Sequence, residues 1–274
     1  MKSEGQLEYH LGYSDAEYER LIRQATRLAP VTEHFFQEAG IGPGQRVLDI
    51  GSGAGDVAML LSRLVGPSGE VVGVEREARS IERAQMRVAQ EGIRNVRFVQ
   101  ADIAQFKSDG PFNAAVGRYV LQFIQDPVLV LRSLSSIVSP GGIIAFQEGS
   151  FAPYLTLSAH LPLRSACVSL QREAAARSGV NVEMGPALHK VFQDAGLPVP
   201  KMRLVMEMGY EPEYTRWLSD SIASTLPRIE QLGLSLEALG DLQTLQERLH
   251  EEVAHSNTVV PWIALVGAWC RIPK

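Results

Sequence analysis

The sequence predicts an open, doubly wound α/β sheet of seven mostly parallel strands, with helices added before it and a helical cover after it. Three observations carry this. Between Arg46 and about Gly149, five short apolar runs alternate with helical segments; a glycine-rich turn joins the first run directly to a helix; and two further strand patterns return after a long helical stretch. The 274 residues exceed the usual size of one domain, yet no polar linker rich in Pro, Gly or Ser isolates a second. They divide into N-terminal helices over 1–40, a core over 41–150 and a cover over 151–274 that also carries the last strands of the same sheet.

The elements follow in order. Ser14 and Asp15 supply N-caps for a helix with the apolar face Leu21, Ile22, Ala25 and Leu28, and Pro30 divides it from a second helix, Val31 to Ala39, that stops at Gly40. Strands are expected over 46–50, 70–75, 96–100, 112–117 and 142–147. Helices are expected over 56–65, 79–91 and 127–138, the last ended by Ser139-Pro140-Gly141-Gly142. Beyond Gly149 the pattern weakens to helices over 158–178, 186–195, 212–225 and 236–256. Strands over 201–208 and 258–272 read as the closing edge of the sheet.

Composition excludes several classes of protein. With 45% hydrophobic and 21% charged residues the chain is ordinary globular material. The longest apolar stretch, Val259 to Cys270, is broken by Pro261 and Gly267 and falls short of the roughly 20 residues a membrane span needs. The N-terminal Met1 to Gln6 lacks the basic and apolar regions of a secretory signal, which points to a cytoplasmic protein with no membrane partner. The 2 cysteines, Cys167 and Cys270, form no CxxC, and the 6 histidines form no HxH or HExxH, so neither a disulfide framework nor a metal is expected. Lys and Arg number 26 against 31 Asp and Glu, a net charge of −5 with no basic stripe, which argues against nucleic acid and for a small partner molecule. Nothing in the sequence sets the oligomeric state.

The chemistry concentrates in Val47-Leu48-Asp49-Ile50-Gly51-Ser52-Gly53-Ala54-Gly55-Asp56. A buried strand runs straight into a tight turn that opens a helix, where glycine lets the backbone turn and approach a ligand without a Cβ in the way. A dinucleotide fingerprint reads GxGxxG and is entered from an apolar strand end; here the spacing is GxGxG, with Asp49 two residues before the first glycine. A carboxylate there opposes a pyrophosphate and suits an ammonium or sulfonium charge.

This segment resembles motif I of the class I S-adenosylmethionine-dependent methyltransferases, of the type acting on small molecules, and later strand ends fit the same family in order. Glu75 closes Val71-Val72-Gly73-Val74-Glu75, where the family places an acid that accepts from both ribose hydroxyls. Asp102, in Gln100-Ala101-Asp102-Ile103, resembles the acid that accepts from the adenine amino group, with Ile103 packing on the ring. The likeness covers roughly residues 40 to 150 and returns at Val266 to Arg271, departing at Asn113, where many members have Asp. It implies a Rossmann-like fold, S-adenosylmethionine as cofactor, and a binding set of Asp49, Gly51, Ser52, Gly53, Gly55, Glu75, Arg76, Asp102, Ile103 and Arg118. Tyr13, before the first helix, either contacts the cofactor or packs a lid onto the sheet.

The fourth strand ends in Gly117-Arg118-Tyr119-Val120, neither the Asp/Asn-Pro-Pro-aromatic motif of enzymes acting on nucleobase or glutamine amines nor a Pro-Cys nucleophile. A small organic acceptor methylated on O, N or C is therefore expected. The alternative is a catalytically silent S-adenosylmethionine-binding sensor or scaffold. In-line transfer from an activated donor needs mainly positioning, and a base matters chiefly for hydroxyl or carbon acceptors. Tyr119 and Gln122 just past the fourth strand, and Gln147 and Glu148 just past the fifth, are candidates for the acceptor pocket, Glu148 as base or anchor. His160 and His189 fall in the cover and could point inward. Trp217 and Trp262 could line an aromatic site, whereas Trp269 suits the core.

Overall fold

The computed structural model describes Gly12 and residues 14–274, so the Tyr13 expectation lies outside the described residues. In chain order the strands are β1 (Arg46–Ile50), β2 (Glu70–Glu75), β3 (Val96–Gln100), β4 (Phe112–Arg118), β5 (Val138–Ser150), β6 (Lys201–Val205), β7 (Met208–Gly209), β8 (Val260–Pro261) and β9 (Ala264–Arg271). The helices are α1 (Asp15–Ala39), α2 (Asp56–Val65), α3 (Ala78–Gln90), α4 (Pro127–Ile137), α5 (Ala152–Ser158), α6 (Pro162–Arg177), α7 (Met184–Asp194), α8 (Pro212–Gln231) and α9 (Leu245–His255). Seven strands form one sheet in the order β3-β2-β1-β4-β5-β9-β6. The first five are parallel, and β9 runs antiparallel to both β5 and β6. The two late strands thus close the same sheet.

Both faces of the sheet are covered, which is why its central strands are apolar without alternation. On one face Leu48, Ile50, Phe112, Ile144 and Phe146 pack with α4 and with Leu188 and Phe192 of α7. On the other, Val47, Val116 and Ala145 pack with Phe35 and Phe36 of α1 and Leu61 of α2. Trp269 joins this second layer edge-on to Phe35, with ring centroids 5.4 Å apart. Phe36 is fully buried, a burial that contributes about 1.5–3 kcal/mol for a side chain of this size.

The structure differs from the sequence expectation at several places. The strands expected over 201–208 and 258–272 each break, and the pieces β7 and β8 pair with each other in a separate two-stranded sheet. The first two helices are one, α1, with Pro30 inside it. Leu28, Thr32, Phe35 and Phe36 are buried on either side of the proline, so one continuous packed face outweighs the missing backbone bond. β5 extends from Val138 to Ser150, because β9 pairs with it as far as Ser150↔Ala264; Gln147 and Glu148 therefore lie inside the strand. The helix expected over 158–178 starts at Pro162 as α6, and a short helix the sequence did not indicate, α5, precedes it. The last expected helix shortens to α9, preceded by a 3₁₀ turn over Glu237–Leu239 that ends at Gly240.

The cover is a small helical layer with its own apolar core, including Val168 of α6, Leu218 and Ile222 of α8, and Leu249 of α9. At its centre Arg164 is fully buried and donates to Ser158 Oγ (3.2 Å), Tyr154 Oη (3.0 Å), the Tyr214 carbonyl (3.4 Å) and the Pro261 carbonyl (2.6 Å). Removing it strands several buried acceptors at once. Arg164→Ala should cost on the order of 3 kcal/mol, read as a lower midpoint in urea unfolding; an unchanged midpoint would deny Arg164 this role.

Helix α1 ties the cover to the sheet. Trp217 Nε1 of α8 donates to Gln24 Oε1 (3.0 Å), Arg23 pairs with Asp220 (2.9 Å), and the Arg27 guanidinium lies 4.3 Å from the Tyr214 ring centre. Among the described residues no helix is long and apolar enough to cross a membrane.

Candidate active site

A cavity of about 680 Å³ opens over the carboxyl ends of the parallel strands, beneath α1 and against the cover. Strand order reverses between β1 and β4, and such sheets bind ligands in the crevice at that point.

One half of the cavity is built from the glycine loop between β1 and α2. Gly51 and Gly53 have φ of 63° and 51°, left-handed conformations that glycine adopts without cost. A Cβ at Gly51 would also lie 2.5 Å from Val120 Cγ2. The loop is stitched to the second strand: Ser52 N donates to the Val74 carbonyl (3.1 Å) and Gly53 N to Glu75 Oε2 (3.0 Å). Glu75 Oε1 accepts from Arg76 N and Glu77 N (2.8 and 2.9 Å). Asp102 caps the short turn after β3 by accepting from Ala104 N (2.9 Å). A cap and an aim into the cavity are compatible here, because Gly51, Ser52, Gly53, Glu75, Arg76, Asp102, Ile103 and Arg118 all line the cavity.

Two members of the expected binding set stand behind this wall. Gly55, with φ 86°, precedes α2, where a Cβ would press to 3.1 Å on Ala84 and Phe98; its need for glycine is one of packing. Asp49 is 1% exposed and absent from the cavity wall, with no hydrogen-bond partner for Oδ2. Burial pushes its carboxyl well above the usual range, with Arg118 opposing and Glu75 and Asp56 adding to the shift. Arg118 in turn donates to Thr32 Oγ1 of α1 (3.0 Å). The carboxylate expected at the mouth of the loop is therefore one layer down.

The turn after β4 separates the two halves. Tyr119 has φ 55°, a conformation that costs a residue with a Cβ about 1–2 kcal/mol. Its N–H donates to the Gln147 carbonyl (2.8 Å), and Glu148 Oε1 accepts from Val120 N (3.0 Å) and Leu121 N (2.8 Å). Glu148 is fully buried, does not line the cavity, and leaves Oε2 without a partner. Burial pushes its carboxyl up to about 8 against the pull of those backbone donors. Its position is that of a clamp on the turn, since the strand alternation that points Gln147 toward α1 points Glu148 into the opposite layer. Burial likewise raises the Tyr119 hydroxyl above its ordinary value, keeping it neutral.

The second half lies between α1 and the cover. Tyr119 and Gln122 line it as expected positions would, together with Gln171 of α6 and Trp217 of α8. His160 and His189 are exposed and outside the cavity, a correction to their expected inward aim. Weak periodicity after Gly149 gave no phase for either residue. Trp262 is buried behind Trp217, 5.5 Å between ring centres, rather than on the wall. Sequence reading missed Glu17, Arg20 and Gln24 of α1, which line this half; the i, i+3 and i+7 spacing of three polar residues on an otherwise core-facing helix was the available signal. It missed Tyr154 and Gln171 also, for which the sequence carries no comparable mark.

A glycine loop at the switch point, an acid ending the second strand and another following the third define the class I S-adenosylmethionine-dependent methyltransferase architecture. The family model described as a methyltransferase domain matches residues 41–196, more than half of the chain, and the protein belongs to that family. The ubiquinone/menaquinone biosynthesis C-methyltransferase UbiE of Coxiella burnetii is 34% identical over 115 residues, 40% of this chain and 46% of that protein. UbiE of Pseudomonas putida strain W619 is 29% identical over 171 residues, 58% and 67% of the two chains. The first of these matches spans about half the length of the relative. Among solved structures, YcgJ of Bacillus subtilis superposes with a TM-score of 0.59 at 16% identity, covering 91% of this chain and 99% of that one. The [4+2]-cyclase SpnF gives 0.53 at 16%, covering 89% and 80%. These structures share the fold alone.

Proposed function

We propose that this protein transfers a methyl group from S-adenosylmethionine to a small organic acceptor enclosed between α1 and the cover. The observation that carries the reading is a cavity that joins the glycine loop, Glu75 and Asp102 to a chamber walled by α1 and the helical cover. A sensor that only bound the cofactor would have no use for the second half.

The cofactor brings a methyl carbon already activated on a sulfonium. The rest falls to residues of this chain. Glu75 is suited to a ribose diol: a carboxylate has about four acceptor positions, and releasing the Gly53 donor leaves two for a pair of hydroxyls. Asp102 is suited to an exocyclic amine and Ile103 to the face of its ring. The bare backbone at Gly51 lets Val120 pack against the loop, where any side chain would meet it. The turn at Tyr119 borders both halves of the cavity, so it can orient the acceptor against the donor methyl, and the α1 roof helps keep water from the line between them. The acid that α1 and the cover contribute to the cavity wall, Glu17, is paired with Arg20 (2.7 Å), so rate enhancement rests on orientation more than on a carboxylate base. Glu148 acts at one remove, by holding the turn. The enclosure also favours a small molecule over a nucleic acid as acceptor.

Calorimetry with S-adenosylhomocysteine tests the reading. The wild-type protein should bind it, and Glu75→Ala should weaken binding by about 1.5–3 kcal/mol, the range for hydrogen bonds to a charged group. An affinity untouched by the substitution removes Glu75 from the ribose. A folded wild-type protein that binds neither S-adenosylhomocysteine nor S-adenosylmethionine ends the proposal.

A further inference from the structure

With adenine beside Asp102 after β3 and ribose beside Glu75 at the end of β2, the cofactor lies along the carboxyl edge of the sheet. The strand order runs on from β3 and β2 to β1 and β4. The amino-acid end of the cofactor therefore reaches the junction of β1 and β4, three strand spacings or about 14 Å from β3. That end carries a carboxylate, and a carboxylate leaving water calls for a cation.

Among the described residues the cavity wall holds three cations, Arg20, Arg76 and Arg118. Arg20 is forked onto Glu17 by two hydrogen bonds of 2.7 Å. Arg76 is exposed, and solvent leaves an ion pair there little value. Arg118 differs from both: it is half-buried at the end of β4, and register sets its height. Asp49 of β1 pairs with Val116 of β4, so two residues further along both strands Arg118 stands level with Gly51, on the same face of the sheet as Asp49. Its Nη1 donates to Thr32 Oγ1 of α1 (3.0 Å), whereas Nε and Nη2 have no partner among the described residues and are not among the atoms closed off from solvent. Thr32 thus holds one arm of the guanidinium and leaves the other edge, a two-donor fork, to the cavity.

The acids nearby do not neutralise this group. Asp56 pairs with Arg87 (2.8 Å), Glu75 accepts from three backbone N–H groups, and burial holds the Asp49 carboxyl well above its usual range, which favours its uncharged form. Burial also pulls the Arg118 guanidinium below its ordinary value, against the opposing pull of Asp56, Tyr119 and Asp49. A guanidinium keeps its proton all the same, so a half-buried one without a counter-charge suits an anion that arrives with a ligand.

We infer that Arg118 seats the amino-acid carboxylate of the donor side-on through Nε and Nη2, and that this pair makes the protein select adenosyl ligands that carry the carboxylate. The inference rests on the methyltransferase reading and adds to it the residue that recognises the far end of the cofactor. Arg118 directly precedes Tyr119, so a carboxylate fixed here also fixes the tail of the donor against the turn that borders both halves of the cavity.

Calorimetry with two ligands tests it: S-adenosylhomocysteine, and its decarboxylated analogue, which keeps the ammonium and the thioether. The wild type should bind the first at least about tenfold more tightly, the worth of a hydrogen bond to a charged group. Arg118→Met should weaken S-adenosylhomocysteine by at least about tenfold and leave the analogue within about twofold, so that the gap closes. Arg118→Lys keeps the charge without the planar fork and should narrow the gap severalfold without closing it, a result that stands even where the methionine variant does not fold. A merely structural role would weaken both ligands alike, since they share everything but the carboxylate. No gap in the wild type, equal losses of both ligands in Arg118→Met, or a gap that neither variant narrows overturns the inference and leaves the rest of the donor site standing. Failure of S-adenosylhomocysteine to bind the folded wild type instead ends the methyltransferase reading.

Discussion

Glu148→Ala should lower stability by on the order of 3–5 kcal/mol, whereas Glu148→Gln should cost less than about 1 kcal/mol. The alanine strands the N–H groups of Val120 and Leu121, which have no other acceptor in a fully buried site, and opens a cavity beneath them. The glutamine keeps a carbonyl oxygen in the same place. The alanine variant should also lose methyl transfer beyond its loss of stability, because the turn it releases carries Tyr119 at φ 55° and Val120 against Gly51. Urea unfolding and turnover at a temperature where both variants are folded separate the two effects. Equal stability of the two variants would show that the backbone donors do not depend on this oxygen.

The same pair has a pH signature. Glu148 titrates near 8 in the folded protein and near 4.3 when unfolded. Between those values the folded chain holds a proton that the unfolded chain has released, so the contribution of this group to stability is complete below about pH 4 and declines as pH rises to about 8. Above that both states are ionised and the decline stops. Glu148→Gln has no such group, so its melting temperature should gain on the wild type from about pH 5 to 8 and hold level beyond. A constant difference across that range would place the Glu148 carboxyl at its ordinary value.

Gly51→Ala should lower the stability of the folded protein by about 2–5 kcal/mol, read as a lower midpoint in urea unfolding. Alanine at φ 63° is strained by about 1–2 kcal/mol, and its Cβ would sit 2.5 Å from Val120 Cγ2, an overlap that costs a further 1–3 kcal/mol or so in a packed site. Val120 has little freedom to swing aside, since branching at Cβ restricts its χ1. The double substitution Gly51→Ala with Val120→Ala should recover the overlap part and leave the strain part. Full recovery would assign the whole loss to Val120, and none would assign it to the backbone.

The sheet was legible because burial and periodicity coincide in it. β1, β2, β3 and α2 begin and end where the apolar runs do; β1 and β2 are packed on both faces, β3 lies half-buried at the sheet edge, and each is bounded by glycine or polar residues. Pro30 misled because a local rule about a missing N–H competes with the packed face of a 25-residue helix, and the face prevailed. The donor half of the cavity was legible for a related reason: Gly51, Glu75 and Asp102 follow directly from strand ends, and a parallel sheet brings all such ends to one edge.

The acceptor half was not legible in the same way. Gln24, Tyr154, Gln171 and Trp217 come from four helices, and no spacing in the chain says which turn of each faces the others. Glu148 shows the limit most sharply. A single residue of register decides whether a strand side chain points toward α1 or into the opposite layer, and pairing of β5 with β9 through Ser150 set that phase. The sequence by itself determined the sheet, its order of elements and the acids and glycines at its carboxyl edge, because those are properties of local pattern and of parallel connection. Only the tertiary structure decided which polar side chains meet in the chamber and which clamp its walls, because helix rotation and strand phase are settled by packing between segments far apart in the chain.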